Sequence, residues 1–147
     1  MIQRGHGHIV NIASVMGLVG SVGLTDYCAS KFAMVGFSTS LRLELLKNSN
    51  GKVTSSLICP YAINTGMFDG LQVKFQWLVP VLEPKFVSQQ VVKATKKRTP
   101  VVILPYTASW ISRLLYLLPI TIQDLIAKNM GGFDGMDHFK GRKSCSN

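Results

Sequence analysis

Tyr27 and Lys31 stand four residues apart in the stretch TDYCASKFAMVGF, and Ser14 stands thirteen residues before the tyrosine. On a helix, residues four apart share a face, so the phenol and the ammonium point the same way. An ammonium beside a phenol favours the phenolate and draws its pKa from about 10 toward working pH, which is what a general acid or base requires. If Ser14 ends a strand and Tyr27 begins a helix, the return of the chain brings the hydroxyl beside the phenol. The three would then form a site for a carbonyl or an alcohol, with Tyr27 transferring the proton, Ser14 holding the oxygen and Lys31 tuning the tyrosine. A lone Tyr-x-x-x-Lys also reads as a solvated helix face. The strand-like NIAS, the glycine-bearing loop and ASKFAMVGF behind the pair turn the reading toward chemistry.

The elements that must position these residues follow from pattern. Residues 7–14, GHIVNIAS, form a short apolar run rich in β-branched residues and ending in small ones, which predicts a buried strand. Gly17, Gly20 and Gly23 then mark a flexible loop. From 26 to 47, Phe32, Val35, Leu41, Leu45 and Leu46 recur at helical spacing until NSNG stops the pattern. Residues 52–60, KVTSSLICP, predict a second strand ended by proline, and VVIL at 101–104 a third. Between them Pro84 suits the first turn of a helix whose lysine-rich end complements the helix dipole. Alternation of strand and helix implies parallel strands with right-handed crossovers, hence an α/β sandwich. Three strands do not complete such a sheet.

The last third, LPYTASWISRLLYLLPITIQDLIAKNMGG, is apolar and interrupted by Pro105 and Pro119, with Arg113 in its middle. Its uninterrupted apolar part falls short of the roughly 20 residues a spanning helix needs. An interfacial or substrate-covering helix pair is the expectation, with ordinary packed helices as the alternative. The chain divides on this reading into a catalytic part, 1–104, and apolar helices with a basic tail, 105–147.

Composition narrows the function classes. With 47% hydrophobic and 16% charged residues and no low-complexity tract, the chain is expected to fold rather than stay disordered. The net charge of +9 raises nucleic acid or an anionic membrane as partners. No aromatic-interleaved basic stripe supports nucleic acid. Scattered lysines, the cluster Lys93, Lys96, Lys97 and Arg98, and the tail Lys140, Arg142 and Lys143 beside apolar sequence fit the cytoplasmic face of a membrane better. Cys28, Cys59 and Cys145, without a Cys-x-x-Cys, fit a reducing compartment, and MIQRGHGHIV lacks the apolar core of a signal peptide.

Other candidates are blander. His6 and His8 have no Cys, Asp or Glu cluster beside them and read as surface histidines at a strand start rather than metal ligands, as does His138. Cys28 has no histidine partner and reads as a small buried residue rather than a nucleophile. Met67, Phe68, Leu71, Phe75 and Trp77 are either core or the wall of an apolar substrate pocket, since the same residue types line both.

At GHIVNIASVMG, DYCASKFAMVGFSTSLRLEL and SLICPYAINTGMF the sequence resembles the short-chain dehydrogenase/reductase family, over nearly its whole length. Softer likenesses, CPYAINTGMFDG, LEPK, LLP and MDHFKGRK, are similar to its membrane-associated retinol dehydrogenase group. The resemblance implies the C-terminal half of a Rossmann-like doubly wound parallel sheet, strands five to seven with flanking helices, followed by apolar C-terminal helices. It implies Ser14, Tyr27 and Lys31 as catalytic residues, with Tyr27 and Lys31 also at the cofactor and Lys31 bonding the nicotinamide ribose. Pro60, Ile63 and Thr65 match the segment that contacts the nicotinamide end of NAD or NADP, the Ile63 amide lying near the carboxamide. Tyr61 stands where the general family has glycine after that proline and reads as a mark of the subgroup.

What the resemblance implies as activity is hydride transfer between a nicotinamide cofactor and an apolar alcohol or aldehyde such as retinol or retinal. It implies a membrane surface at the endoplasmic reticulum or a lipid droplet, cytosol-facing, and a homo-oligomer at full length. No glycine-rich turn for the cofactor pyrophosphate occurs among the 147 residues. The expectation for this length alone is therefore an exposed edge at the first strand, poor stability and no turnover. The alternative reading is a non-catalytic product that pairs with a full-length relative.

Overall fold

A computed structural model describes residues 1–67, 70 and 74–138 of the chain. Three parallel strands, β1 (Gly7–Ile12), β2 (Val53–Pro60) and β3 (Val101–Leu104), lie in the order β1-β2-β3. The connections are α1 (Thr25–Ser49) and α2 (Pro84–Lys97), and β3 leads into α3 (Tyr106–Tyr116) and α4 (Ile120–Asn129). This is the α/β arrangement of parallel strands that the strand-helix alternation predicts, in the Rossmann-like form that the family resemblance implies.

The alternation of side chains along β2 divides the core in two. Leu57 and Cys59 face Met34 and Val35 of α1 and Ala108 of α3. Ile58 faces the other way, with Val102 and Leu104 of β3, onto Val87 and Ala94 of α2. The sheet is thus covered by α1 and α3 on one face and by α2 on the other. A central strand buried on both faces explains why VTSSLICP reads as a continuous run rather than an alternation.

Local chemistry sets the boundaries. The first strand stops two residues short of the expected Ser14. The Ala13 N–H still donates to the Ile58 carbonyl at 2.8 Å, but the Ser14 side chain instead caps a 3₁₀ turn, Val15–Gly17. Helix α1 runs one residue earlier and two later than the expected 26–47, because Asn50 ends it in the left-handed conformation, φ 50°. Ser49 stitches that end to the sheet: its hydroxyl donates to the Leu45 carbonyl at 2.6 Å and accepts from the Val53 N–H at 3.0 Å. Pro84 opens α2, whose last turn carries Lys96 and Lys97.

His8 is not the surface residue its position suggested. It is half-buried on the α2 side of β1, with Nδ1 2.7 Å from Thr54 Oγ1 and Nε2 3.0 Å from Ser56 Oγ. The Ser56 hydroxyl donates to the Thr99 carbonyl at 2.5 Å. Ser56 therefore accepts from Nε2–H, leaving Nδ1 to accept from Thr54. Burial, with Arg98 nearby, lowers the pKa of this neutral ring.

Ile58 has no exposed surface, so Ile58→Ala should cost about 2–5 kcal/mol of unfolding free energy in a denaturant titration. Leu46→Ala, on the exposed side of α1, should stay within about 0.5 kcal/mol of the parent.

Candidate active site

The site is assembled where β1 and β2 stop. Ser14 is buried, and its hydroxyl donates to the Pro60 carbonyl at 3.3 Å while accepting from the Met16 N–H at 3.1 Å. A second lone pair remains, and the donated bond is long, so turning the hydrogen toward a substrate oxygen would forfeit little. Below Ser14 lies Cys59, whose sulfur accepts from the Ser14 backbone N–H; burial outweighs that bond and pushes the thiol up to about 11.

Tyr27 and Lys31 occupy the first two turns of α1, both half-buried, with the lysine Nζ 5.3 Å from the centre of the tyrosine ring. The helix and the Ser14 turn meet at Gly17. A Cβ there would lie 2.5 Å from the Lys31 carbonyl oxygen and 2.9 Å from a Val35 methyl, so only glycine lets the turn seat against α1. Ser14 is thereby joined to Pro60, Tyr27 to Lys31, and the turn that Ser14 caps to the backbone of Lys31.

Beyond Pro60 the chain makes one short parallel bridge. Leu82 N–H donates to the Ala62 carbonyl at 2.8 Å and Asn64 N–H to the Leu82 carbonyl at 2.9 Å, which leaves the Ile63 N–H out of the bridge. Thr65 is exposed and bonds back to Ile63, from its N–H at 2.8 Å and its hydroxyl at 3.5 Å. No hydrogen bond to the Ser14, Tyr27 and Lys31 group ties Ile63 or Thr65 among the described residues.

A cavity of about 770 Å³ opens directly after Ser14, from Val15 and Met16, and reaches Thr25 and Phe32 of α1, Tyr61, and the inner faces of α3 and α4. Ile111 and Leu115 of α3 and Ile126 and Met130 at the end of α4 supply apolar wall, with Ser112, Gln123 and Asp124 as polar points. Burial raises the pKa of the Tyr61 phenol. Sequence had offered Met67 to Trp77 for this wall. Met67 and Trp77 are instead exposed, Phe75 lines an adjoining space of about 100 Å³ that shares Tyr61 and Met130 with the cavity, and Phe68 and Leu71 lie outside the described residues. The missed residues carried a readable sign: 111 and 115 sit one turn apart on the side of α3 that holds buried Ala108 and Ser112. Among the described residues no group of His, Cys, Asp and Glu is arranged to hold a metal.

A buried serine at a strand end, a Tyr-x-x-x-Lys pair on the following helix and a Rossmann-like parallel sheet agree with a match of residues 1–74 to the short chain dehydrogenase family model. The chain belongs to that family. It is 38% identical over 143 residues to epidermal retinol dehydrogenase 2 of Mus musculus, covering 97% of this chain and 46% of that protein. To retinol dehydrogenase 10 of Rattus norvegicus it is 38% identical over 120 residues, 80% of this chain and 33% of that protein. Among solved structures it is similar to a short-chain dehydrogenase from Sphingobium yanoikuyae in complex with NADPH, with a TM-score of 0.60, 26% identity, and 86% of this chain and 47% of that one covered. The chain thus spans about half or less of the length of these relatives.

Two measurements probe this site. Gly17→Ala should cost about 1–3 kcal/mol of stability, since backbone rather than a flexible side chain meets the new methyl; thermal unfolding reads it. For Cys59, the unfolded thiol ionises near its ordinary value of 9.0 while the folded one holds its proton to about 11. Its stabilisation is therefore complete below about pH 9 and drains away as pH rises to about 11, and Cys59→Ala should flatten that decline in denaturant titrations run across the range.

Proposed function

We propose that this chain carries the catalytic residues of an oxidoreductase that uses NAD or NADP to interconvert an apolar alcohol and its aldehyde, with retinol and retinal as the favoured pair. The observation that supports it most is the Tyr27 and Lys31 pair on α1, a helix seated against the turn that Ser14 caps, whose residues Val15 and Met16 line the apolar cavity. The retinol dehydrogenases to which the chain is similar favour the substrate class. The S. yanoikuyae neighbour in complex with NADPH favours the cofactor.

The residues present fit the nicotinamide end of such a cofactor. Lys31 offers an ammonium, Ile63 an N–H left out of its bridge, and Thr65 an exposed hydroxyl, with Pro60 ending the strand before them. When bound, the dinucleotide supplies the acceptor or donor of hydride. In the oxidative direction Tyr27 takes the alcohol proton through its oxygen, and in the reductive direction it returns one to the carbonyl. Lys31 holds its ammonium over the Tyr27 ring, a positive charge beside the group that exchanges the proton. Ser14 hydrogen-bonds the substrate oxygen, and the cavity wall removes water from the reacting carbon and holds the apolar remainder of the substrate.

We place the protein at the cytosol-facing surface of the endoplasmic reticulum or a lipid droplet, where an apolar substrate dissolves; the +9 charge and the exposed apolar residues of α3 and α4 support this. No described helix is long and apolar enough to cross a membrane. A second reading, a non-catalytic unit that pairs through α1, is favoured by exposed Phe37, Leu43 and Leu46 on that helix. The same surface would serve a homo-oligomer of the full-length protein.

The test is retinol and retinal turnover with NAD(H) and NADP(H), using the 147 residues alone and joined to the remaining portion of a full-length relative. No turnover is expected from the 147 residues alone. The joined protein should turn over, and Tyr27→Phe should lower kcat by about 10²- to 10⁴-fold. Lys31→Ala should also weaken dinucleotide binding. Turnover indifferent to Tyr27→Phe would defeat the enzymatic reading, whereas a folded, inactive joined protein that dimerises through α1 would favour the second.

A further inference from the structure

A second cleft, of about 170 Å³, lies away from the catalytic side chains, between α2, the edge strand β3 and α3. Lys93 and Lys97 of α2 and Arg113 of α3 line it, with Gln90, Thr99 and Ser109 among its polar groups, and no Asp or Glu among its lining residues. Tyr106 Oη donates to Gln90 Oε1 at 3.5 Å, joining the two helices across the opening. Three cations around a concave space, without a carboxylate to neutralise them, suit a phosphate.

The face of α3 beside this cleft is apolar. Tyr106, Trp110, Leu114 and Leu117 follow at helical spacing, and all are exposed, Trp110 at 72% and Leu117 at 81%. On a helical projection Arg113 borders this stripe, while Ala108 and Ser112 hold the opposite side of the helix in the fold. A helix with one apolar side packed into its own domain and another facing outward, rich in Trp and Tyr and edged by basic residues, has the composition of an element lying in a bilayer interface.

From these two neighbouring features we infer that the α2–β3–α3 side of the molecule docks on an anionic lipid surface. Tyr106, Trp110, Leu114 and Leu117 enter the acyl boundary, and a phospholipid phosphate sits among Lys93, Lys97 and Arg113. This rests on the proposed function only in bringing the chain to a membrane, and it adds which face is turned to the lipid and which headgroup charge is read.

The experiment is co-flotation of the 147-residue chain with vesicles of phosphatidylcholine alone or with added phosphatidylserine, together with the emission of Trp110 in a Trp77→Phe background. Binding should rise with phosphatidylserine and shift Trp110 emission to the blue. Each of Lys93→Gln, Lys97→Gln and Arg113→Gln should lower affinity for the anionic vesicles about fivefold, equivalent to about 1 kcal/mol. Lys47→Gln and Lys52→Gln, which remove equal charge elsewhere, should change it far less. Trp110→Ser with Leu114→Ser should weaken binding to both vesicle types, with circular dichroism confirming that the variants fold.

Binding that ignores phosphatidylserine would keep the membrane reading and overturn the headgroup site. Equal losses from the cleft and the control lysines would reduce the effect to net charge and overturn it too. Full competition by inorganic phosphate with no Trp110 shift would make the cleft a soluble-anion site. A cleft variant that changes only self-association would make this face a contact between copies. Neither result is compatible with lipid docking.

Discussion

The hydrogen bond from the Ser14 hydroxyl to the Pro60 carbonyl joins the ends of two parallel strands at the point where both stop pairing. Parallel strands present their carboxyl ends together, so whatever chemistry the fold performs must gather there. β2 makes the junction rigid because it is buried on both faces, and Ile58 and Cys59, just before its final Pro60, have no exposed surface. Ser14 is held from three directions: by Pro60, by the Met16 amide it caps, and by the sulfur beneath its own N–H. A residue so placed needs only to turn its hydroxyl hydrogen from Pro60 to meet a substrate oxygen.

Helix α1 carries a double duty that its composition reflects. Of its 25 residues, Cys28, Ser38, Leu45 and Ser49 are buried, and two of those four are serines that bond back to the preceding turn. Small and polar buried positions let the helix lie close to the sheet and to the Val15–Gly17 turn. That close approach, rather than a large apolar face, positions Tyr27 and Lys31. The cavity is then completed by α3, which packs over the same side of the sheet, and by α4, which lines it from farther along the chain.

Much of this was legible in the residues. β3 falls where VVIL places it, and α1 departs from its expected span by one residue at its start and two at its end, since NSNG is a strong stop. The Tyr27 and Lys31 contact follows from helical periodicity alone. The cavity wall was not readable as such, because an apolar stripe on α3 that lines a pocket has the same spacing as one that fills a core. His8 escaped for a different reason: its partners Thr54 and Ser56 lie 46 and 48 residues away, and only the β1–β2 register brings them opposite. The Ser14 bond to Pro60, across 46 residues, was equally invisible locally.

Gly17 has a consequence for how the pocket can be altered. Its lack of a side chain seats the turn on the Lys31 carbonyl; of the residues just after it, Leu18 and Val19 line the cavity and also pack against the core, whereas Ser21 and Val22 line the cavity outside that core cluster. The seat against α1 and part of the cavity wall are therefore carried by adjoining stretches of one loop. A library that randomises 21 and 22 and keeps 17–19 would sample new cavity outlines on an unchanged seat for α1. The molecule is in this sense modular at the scale of single residues.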